Sequence, residues 1–198
     1  MKLLESKTYL NLAKAYAGEC QAHIRYKFIE YGARNEGYVA MAELVDKVVY
    51  NEFNHARMLY SFIQTADEKT IENIDICSGY PFKEKWNLID NLKLSAEDEN
   101  NEATKIYPAY EKTARDEGFT DIANLFKNLI QVETCHKMLF EQLHCQMKSG
   151  TMYKKPTAVK WKCGGCGYEA TSKEAFKVCP LCQAKQGVVM LKIEDAAN

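Results

Sequence analysis

The chain has 198 residues, 46% hydrophobic and 27% charged, with a formal net charge of −1 at pH 7. That length allows one sizeable core plus a small appendage, in a composition ordinary for a globular protein. So balanced a charge gives no strong field to favour nucleic acid or an anionic membrane surface.

The first residues, Met1-Lys-Leu-Leu-Glu-Ser-Lys-Thr, lack the apolar centre of a signal peptide. No stretch approaches the length needed to span a bilayer. The expected location is cytoplasmic, with neither nucleic acid nor membrane as partner. The eight cysteines are then expected to be reduced or metal-bound rather than paired in disulfides.

Apolar residues recur at spacings of three and four through Leu3, Tyr9, Leu12, Tyr16, Ile24 and Phe28, which predicts a helix over 5–35. It carries Glu19 and, seven residues on, Tyr26. The same period through Val39, Ala42, Val45, Val49, Phe53, Leu59 and Ile63 predicts a helix over 38–65, carrying Glu52-Phe-Asn-His55. Residues 66–85, with Ser78-Gly-Tyr-Pro81, form a long non-helical connection. A third helix over 86–116 carries Glu99 and Glu102, then Tyr107-Pro108. Pro108 lacks an N–H and is expected to kink or bulge that helix. A fourth over 120–147 carries Glu133-Thr-Cys-His136.

Residues 148–160 follow as a lysine-bearing linker, and 161–198 as a tail with Cys163-Gly-Gly-Cys166 and Cys179-Pro-Leu-Cys182. Two Cys-x-x-Cys knuckles separated by twelve residues are a strong four-thiolate signal. Trp161, Tyr168 and Phe176 are the natural apolar cover for so small a unit.

Displaced by 81 positions, the chain partly matches itself: Tyr26 falls on Tyr107, Glu52 on Glu133, His55 on His136, and Ala33-Arg-Asn-Glu-Gly37 on Ala114-Arg-Asp-Glu-Gly118. This reads as two copies of a helical hairpin, each turning at its Glu-Gly, where glycine can take the left-handed conformation that ends a helix. Glu19, Glu52, Glu99, Glu102 and Glu133 all lie 15 to 18 residues from their own turn. At the helical rise that is about 24 Å, so the four helices bring their candidates to one level. Residues i and i+3 share a face, so each pair can reach a common cluster.

A lone Glu-x-x-His is usually an exposed pair of neighbours. Five carboxylates buried in one layer would repel and cost too much desolvation without cations, so the layer is expected to hold two metal ions. Tyr26 and Tyr107 are read as hydroxyl donors to metal-bound carboxylates. His23 is read as a packed histidine and His144 as a surface one. Cys20, Cys77, Cys135 and Cys145 have no partner at motif spacing and are expected to be buried small hydrophobes.

The chain resembles rubrerythrin over nearly its whole length. The residues that carry the resemblance are Gly18-Glu19-x-Gln21-Ala22 with Arg25-Tyr26, Glu52-x-x-His55-Ala56, Glu99-Asn-x-Glu102 leading to Tyr107-Pro108, Glu133-x-x-His136, and the two knuckles with Trp161 and Gly167-Tyr168. It implies an all-α fold: a ferritin-like four-helix bundle over 1–147, a linker over 148–160 and a rubredoxin-like four-cysteine domain over 161–198. It also implies a non-haem peroxidase that reduces hydrogen peroxide to water in oxidative-stress defence, acting as a homodimer or higher homo-oligomer.

The family's ligands fall on Glu19, Glu52, Glu99, Glu102, Glu133 and His136. His55 is an alternative ligand that competes with Glu102 according to oxidation state, and Tyr26, His55 and Glu102 are the expected catalytic residues. The implied cofactors are an oxo/carboxylate-bridged di-iron pair in the bundle and one iron on Cys163, Cys166, Cys179 and Cys182. Zinc is a possible occupant of either after heterologous expression. Electrons would come from a donor such as rubredoxin or an NAD(P)H-dependent reductase. The stretch between the knuckles departs from the family pattern. Two rival readings stand beside this one, a ferritin-like ferroxidase and a non-enzymatic zinc-ribbon protein.

Overall fold

The structure is a computed structural model that describes residues 2–66, 72–77 and 86–195. Helices α1 (Lys7–Asn35) and α2 (Val39–Gln64) form the first hairpin. The second is α3 (Leu88–Asn101), a π-helical turn (Glu102–Ile106), α4 (Tyr107–Asp116) and α5 (Thr120–Lys148). The α3–π–α4 run is one continuous helical rod, so the bundle has four rods, as the periodicity predicts. Ser78-Gly-Tyr-Pro81 lies outside the described residues.

Both hairpins turn in the same way. Gly37 (φ +88°) and Gly118 (φ +86°) take the left-handed conformation expected of them. In each, the following amide closes the turn on a buried alanine carbonyl: Tyr38 N to Ala33 O and Phe119 N to Ala114 O, both 2.8 Å. The glutamate before each glycine then ties the halves together. Glu117 accepts from the free Lys7 and Thr8 amides at the start of α1, and Glu36 accepts from the indole N–H of Trp86 just before α3.

The expected disturbance at Pro108 is the π turn. Without an N–H at Pro108 the ordinary i→i−4 ladder cannot run through it. The Tyr107 amide instead reaches back five residues to Glu102 O. The wider turn carries Glu102 and buries it at 6% exposure.

Apolar side chains collect in two clusters, one at each end of the bundle. Tyr26, Ile29, Met41, Val45, Leu92, Phe140 and Leu143 make one; Leu12, Leu59, Tyr107, Ile122, Phe126 and Leu129 make the other. The buried acidic layer is clamped between them.

Beyond Gly150 the chain forms a two-stranded antiparallel sheet, β1 (Lys154–Lys162) with β2 (Glu169–Glu174). The strand begins inside the stretch expected to be a linker. Lys154-Lys-Pro-Thr-Ala has no alternating apolar signal of its own and is ordered by its partner strand, with Lys154 paired to Glu174 and Lys160 to Glu169. Buried Trp161 anchors the small core with Ala175 and Val189, and Tyr168 meets Phe176 edge-on at 5.8 Å. This unit docks on the bundle so closely that a Cβ on Gly187 would collide with the Gly37 carbonyl oxygen. Its last described residues return along α5, where the Gln142 amide exchanges hydrogen bonds with the Glu194 backbone.

Candidate metal centres

Six of the seven bundle residues singled out from sequence fall into two overlapping groups. Glu19, Glu52, His55 and Glu133 form one, and Glu52, Glu99, Glu133 and His136 the other; within each, one ligand atom per residue lies within 4.8 Å of all the rest. Glu52 and Glu133 belong to both. The seventh residue, Glu102, is buried beside the layer but belongs to neither group. His55 therefore stands among the carboxylates in this structure and Glu102 stands off. His23 is also outside: its Nδ1 lies 2.8 Å from the Val49 carbonyl, and its ring packs near Phe53, as a packed histidine should.

The electrostatics of the layer suit cations. Burial, then Glu52 and Glu133, push Glu19 well above the ordinary carboxylate range. Glu99 is raised by the same causes, and Glu102 by burial and then Glu133 and Glu52. Burial would also raise Glu52, but contact with His136 and His55 outweighs it and holds Glu52 low. Burial lowers His136, yet Glu133 and Glu52 overcome it and lift the imidazole to about 9.

His136 Nδ1 is 2.9 Å from both Glu52 Oε1 and Glu133 Oε2. None of these three atoms makes a hydrogen bond, and neither do Glu19 Oε2, Glu99 Oε2 or Glu133 Oε1. So many orphaned buried acceptors would cost several kcal/mol between them. Their lone pairs converge, and a pair of cations satisfies them. The all-oxygen and imidazole donor set suits iron or manganese.

The two tyrosines expected to serve the layer do so across the halves. Tyr26, from the first hairpin, donates to Glu99 in the second; Tyr107, from the second, donates to Glu19 in the first. Arg25 pairs with Asp98 on the flank of the layer.

The tail supplies the second centre. Cys163, Cys166, Cys179 and Cys182 bring their sulfurs together, with Sγ–Sγ separations of 3.7 Å (Cys163–Cys182) and 3.6 Å (Cys166–Cys179). Disulfides would need about 2.05 Å. Four sulfurs about 2.3 Å from one tetrahedral ion stand about 3.8 Å apart, which these pairs nearly reproduce. Burial raises Cys179, but the amides of Cys182 and Leu181 outweigh it and draw its thiol down to about 7. A thiol poised there is readily ionised to a ligand. Gly167 (φ +77°) makes the turn that follows Cys166.

The other four cysteines correct an expectation. Cys77, Cys135 and Cys145 are exposed and Cys20 is half-buried. Cys135 is one residue from His136 and about 100° around the helix from it, which on α5 is the outer face. His144, expected at the surface, is half-buried along a groove with Lys93 and Lys137. Sequence reasoning missed Asn51, whose amide meets His136 from outside the layer.

Residues 11–144 match the protein family described as Rubrerythrin, and 161–187 that described as Rubrerythrin, rubredoxin-like domain. The chain is 37% identical to the rubrerythrin of Clostridium perfringens (strain 13 / Type A), over 92% of this chain and 93% of that protein. It is 38% identical to rubrerythrin-1 of Clostridium acetobutylicum, over 98% and 100%. Among solved structures, nigerythrin in its mixed-valence state superposes with a TM-score of 0.61 at 24% identity, covering 97% of this chain and 94% of that one. A Desulfovibrio desulfuricans bacterioferritin gives 0.59 at 21%, covering 72% and 81%. At those identities the two structures speak for the fold alone.

Proposed function

The chain belongs to the rubrerythrin family, and on that premise we propose that it reduces hydrogen peroxide to water at a di-iron pair in the bundle, fed with electrons through an iron held by the four cysteines. The observation that carries the reading is the pairing, in one chain, of a buried oxygen/imidazole layer with orphaned acceptors and a separate four-thiolate cluster. A storage shell would have no use for the second.

Glu52 and Glu133, common to both donor groups, would serve both ions; Glu19 with His55 would complete one site and Glu99 with His136 the other. Iron held by these residues would supply the electron pair that breaks the O–O bond, and iron on Cys163, Cys166, Cys179 and Cys182 would return those electrons one at a time. Each turnover also consumes two protons as peroxide leaves as two waters. Tyr26 and Tyr107 hold theirs on Glu99 and Glu19, inside a layer closed at both ends by apolar side chains. Burial pushes both phenols well above their usual range, so they stay protonated and hold the carboxylates in place between proton deliveries. Glu102, on the π turn, would exchange with His55, a reading its burial beside the layer supports.

The family reading calls for an electron-donor partner; rubredoxin or an NAD(P)H-dependent reductase is the class we assign. A homodimer is supported by the outer face of the first hairpin, where Ile24, Phe28, Tyr31, Tyr50 and Phe53 are all about half exposed or more. No described helix is long and apolar enough to cross a membrane, in keeping with a cytoplasmic location. The deciding experiment is stopped-flow mixing of the reduced, iron-loaded protein with peroxide and with dioxygen. Reoxidation much faster with peroxide is expected; preference for dioxygen would favour a ferroxidase, and a colourless, redox-silent protein a zinc-ribbon scaffold.

A further inference from the structure

His136 directs Nδ1 at Glu52 and Glu133, while its Nε2 lies 3.1 Å from the side-chain amide of Asn51 on α2. Displacing Asn51 by the 81-residue repeat lands on Val132, a side chain with no polar atom. His136 thus has a polar neighbour at each ring nitrogen, carboxylates near Nδ1 and the Asn51 amide at Nε2.

Resting on the metal reading above, we propose that Asn51 is the positioning residue that fixes the His136 ring in the layer, a part its repeat counterpart Val132 has no polar atom to play. A planar amide carries a donor and an acceptor a half-turn apart. It can donate to Nε2 when Nδ1 carries the proton, and accept from Nε2–H when the Nδ1 lone pair is committed to a cation. Either way the ring cannot rotate away from the carboxylates. Asn51 and His136 also share the lining of a surface groove of about 540 Å³, together with Cys135, Met138 and Ile193. The amide therefore stands where water would otherwise compete for Nε2. Outer partners of this kind fix ring orientation and typically contribute 10–100-fold in metal affinity.

The test uses the full chain loaded with zinc, which is diamagnetic, against a competing chelator. Asn51→Leu fills the space, keeps out water and gives Nε2 no partner; about 10–100-fold weaker binding of one of the two bundle ions is expected. The solvent-protected His136 Nε2–H signal in proton–nitrogen NMR should vanish with it. Asn51→Asp, which can still accept from Nε2–H, should keep both the affinity and the signal, an outcome that mere loss of packing cannot give. Asn51→Leu protein that binds both ions as tightly as wild type, or Asn51→Asp protein that loses affinity as Asn51→Leu does, overturns the assignment. Wild-type protein that takes up fewer than two ions in the bundle overturns the metal reading itself, and this inference with it.

Discussion

Tyr107 donates its hydroxyl to Glu19 on the opposite hairpin, and its repeat partner Tyr26 returns the arrangement by donating to Glu99. Each tyrosine belongs to the apolar cluster at its own end of the bundle and reaches inward to the acidic layer. The halves are therefore cross-linked through the site itself, and the same bonds that orient the carboxylates join the two hairpins.

Replacing either hydroxyl strands a buried carboxylate oxygen. Tyr26→Phe and Tyr107→Phe should each lower the stability of the metal-loaded protein by about 1–3 kcal/mol, read from urea denaturation. If Tyr26 also delivers a proton, Tyr26→Phe should slow peroxide turnover about 100-fold. Loss of stability with turnover intact would leave it a purely positioning group.

Metal removal should make stability fall with rising pH. Glu19, Glu99 and Glu102 are raised by burial and by one another, so without cations they favour the fold while protonated and oppose it once ionised. Their contribution is whole below the ordinary carboxylate pKa of about 4.3 and is lost as pH climbs through the raised values. His136, lifted to about 9, acts in the same direction, losing its contribution as pH passes that value. Glu52, held low, opposes them only below about pH 4.3. The chelator-treated protein should thus melt at a lower temperature at pH 8 than at pH 5, and the metal-loaded protein should not. Equal melting of the stripped protein at both values would remove the repulsion argument.

Glu117 should behave in the opposite sense. Burial alone would raise it, but the Thr8 hydroxyl and amide and the Lys7 amide outweigh that and hold it below the usual range. Its contribution is present above about pH 4.3 and is lost as pH falls through the lowered value. Glu117→Gln should cost about 1 kcal/mol at pH 7, in line with a weakened helix cap, and less as the pH is lowered through the acid range. A cost independent of pH would assign the effect to packing.

The bundle was legible because its order is local and repeated. Helical period, the Glu-Gly turns and equal turn-to-ligand distances each follow from residues near one another in sequence. A sign of the π turn was present too: Tyr26 and Tyr107 are 81 apart but Glu19 and Glu99 only 80. One extra residue in the third rod, before Pro108, must be absorbed somewhere, and a π turn absorbs one. β1 was not legible, since a two-stranded sheet takes its order from a partner across the knuckle and from Trp161, rather than from a pattern in Lys154–Val159. Asn51 escaped for a similar reason. It is an ordinary helix residue until α5 brings His136 against it.

Electron entry can be separated from peroxide cleavage. Cys179→Ser removes one thiolate, and the one whose thiol is drawn down to about 7, without touching the bundle layer. The variant should complete one oxidation of its prereduced bundle site at wild-type rate and then stall, because nothing refills it. Full steady-state turnover with a reductase as donor would show that the two centres do not work in series.

The last expectation concerns the place His55 and Glu102 contest. His55 Nδ1 lies 3.2 Å from Glu52 Oε2, 3.3 Å from Glu133 Oε1 and 3.4 Å from Glu19 Oε2, whereas Glu102 belongs to no donor group. A neutral imidazole is an adequate partner for a ferrous ion; a ferric ion, harder and more highly charged, favours the carboxylate. Exchanging one for the other keeps the net charge of the buried layer nearly level, which limits how far the core must reorganise. Glu102 would be suited to such an exchange because it sits on the π turn rather than in a regular helix. Glu102→Gln should therefore destabilise the oxidised site more than the reduced one and raise its potential. His55→Ala should do the reverse, giving a site that assembles oxidised and resists reduction. Potentiometry on the two variants reads the opposite shifts directly. Crystal structures of the iron-loaded protein in both oxidation states settle the exchange: an ion that keeps one ligand set throughout leaves Glu102 and His55 with no contest to explain.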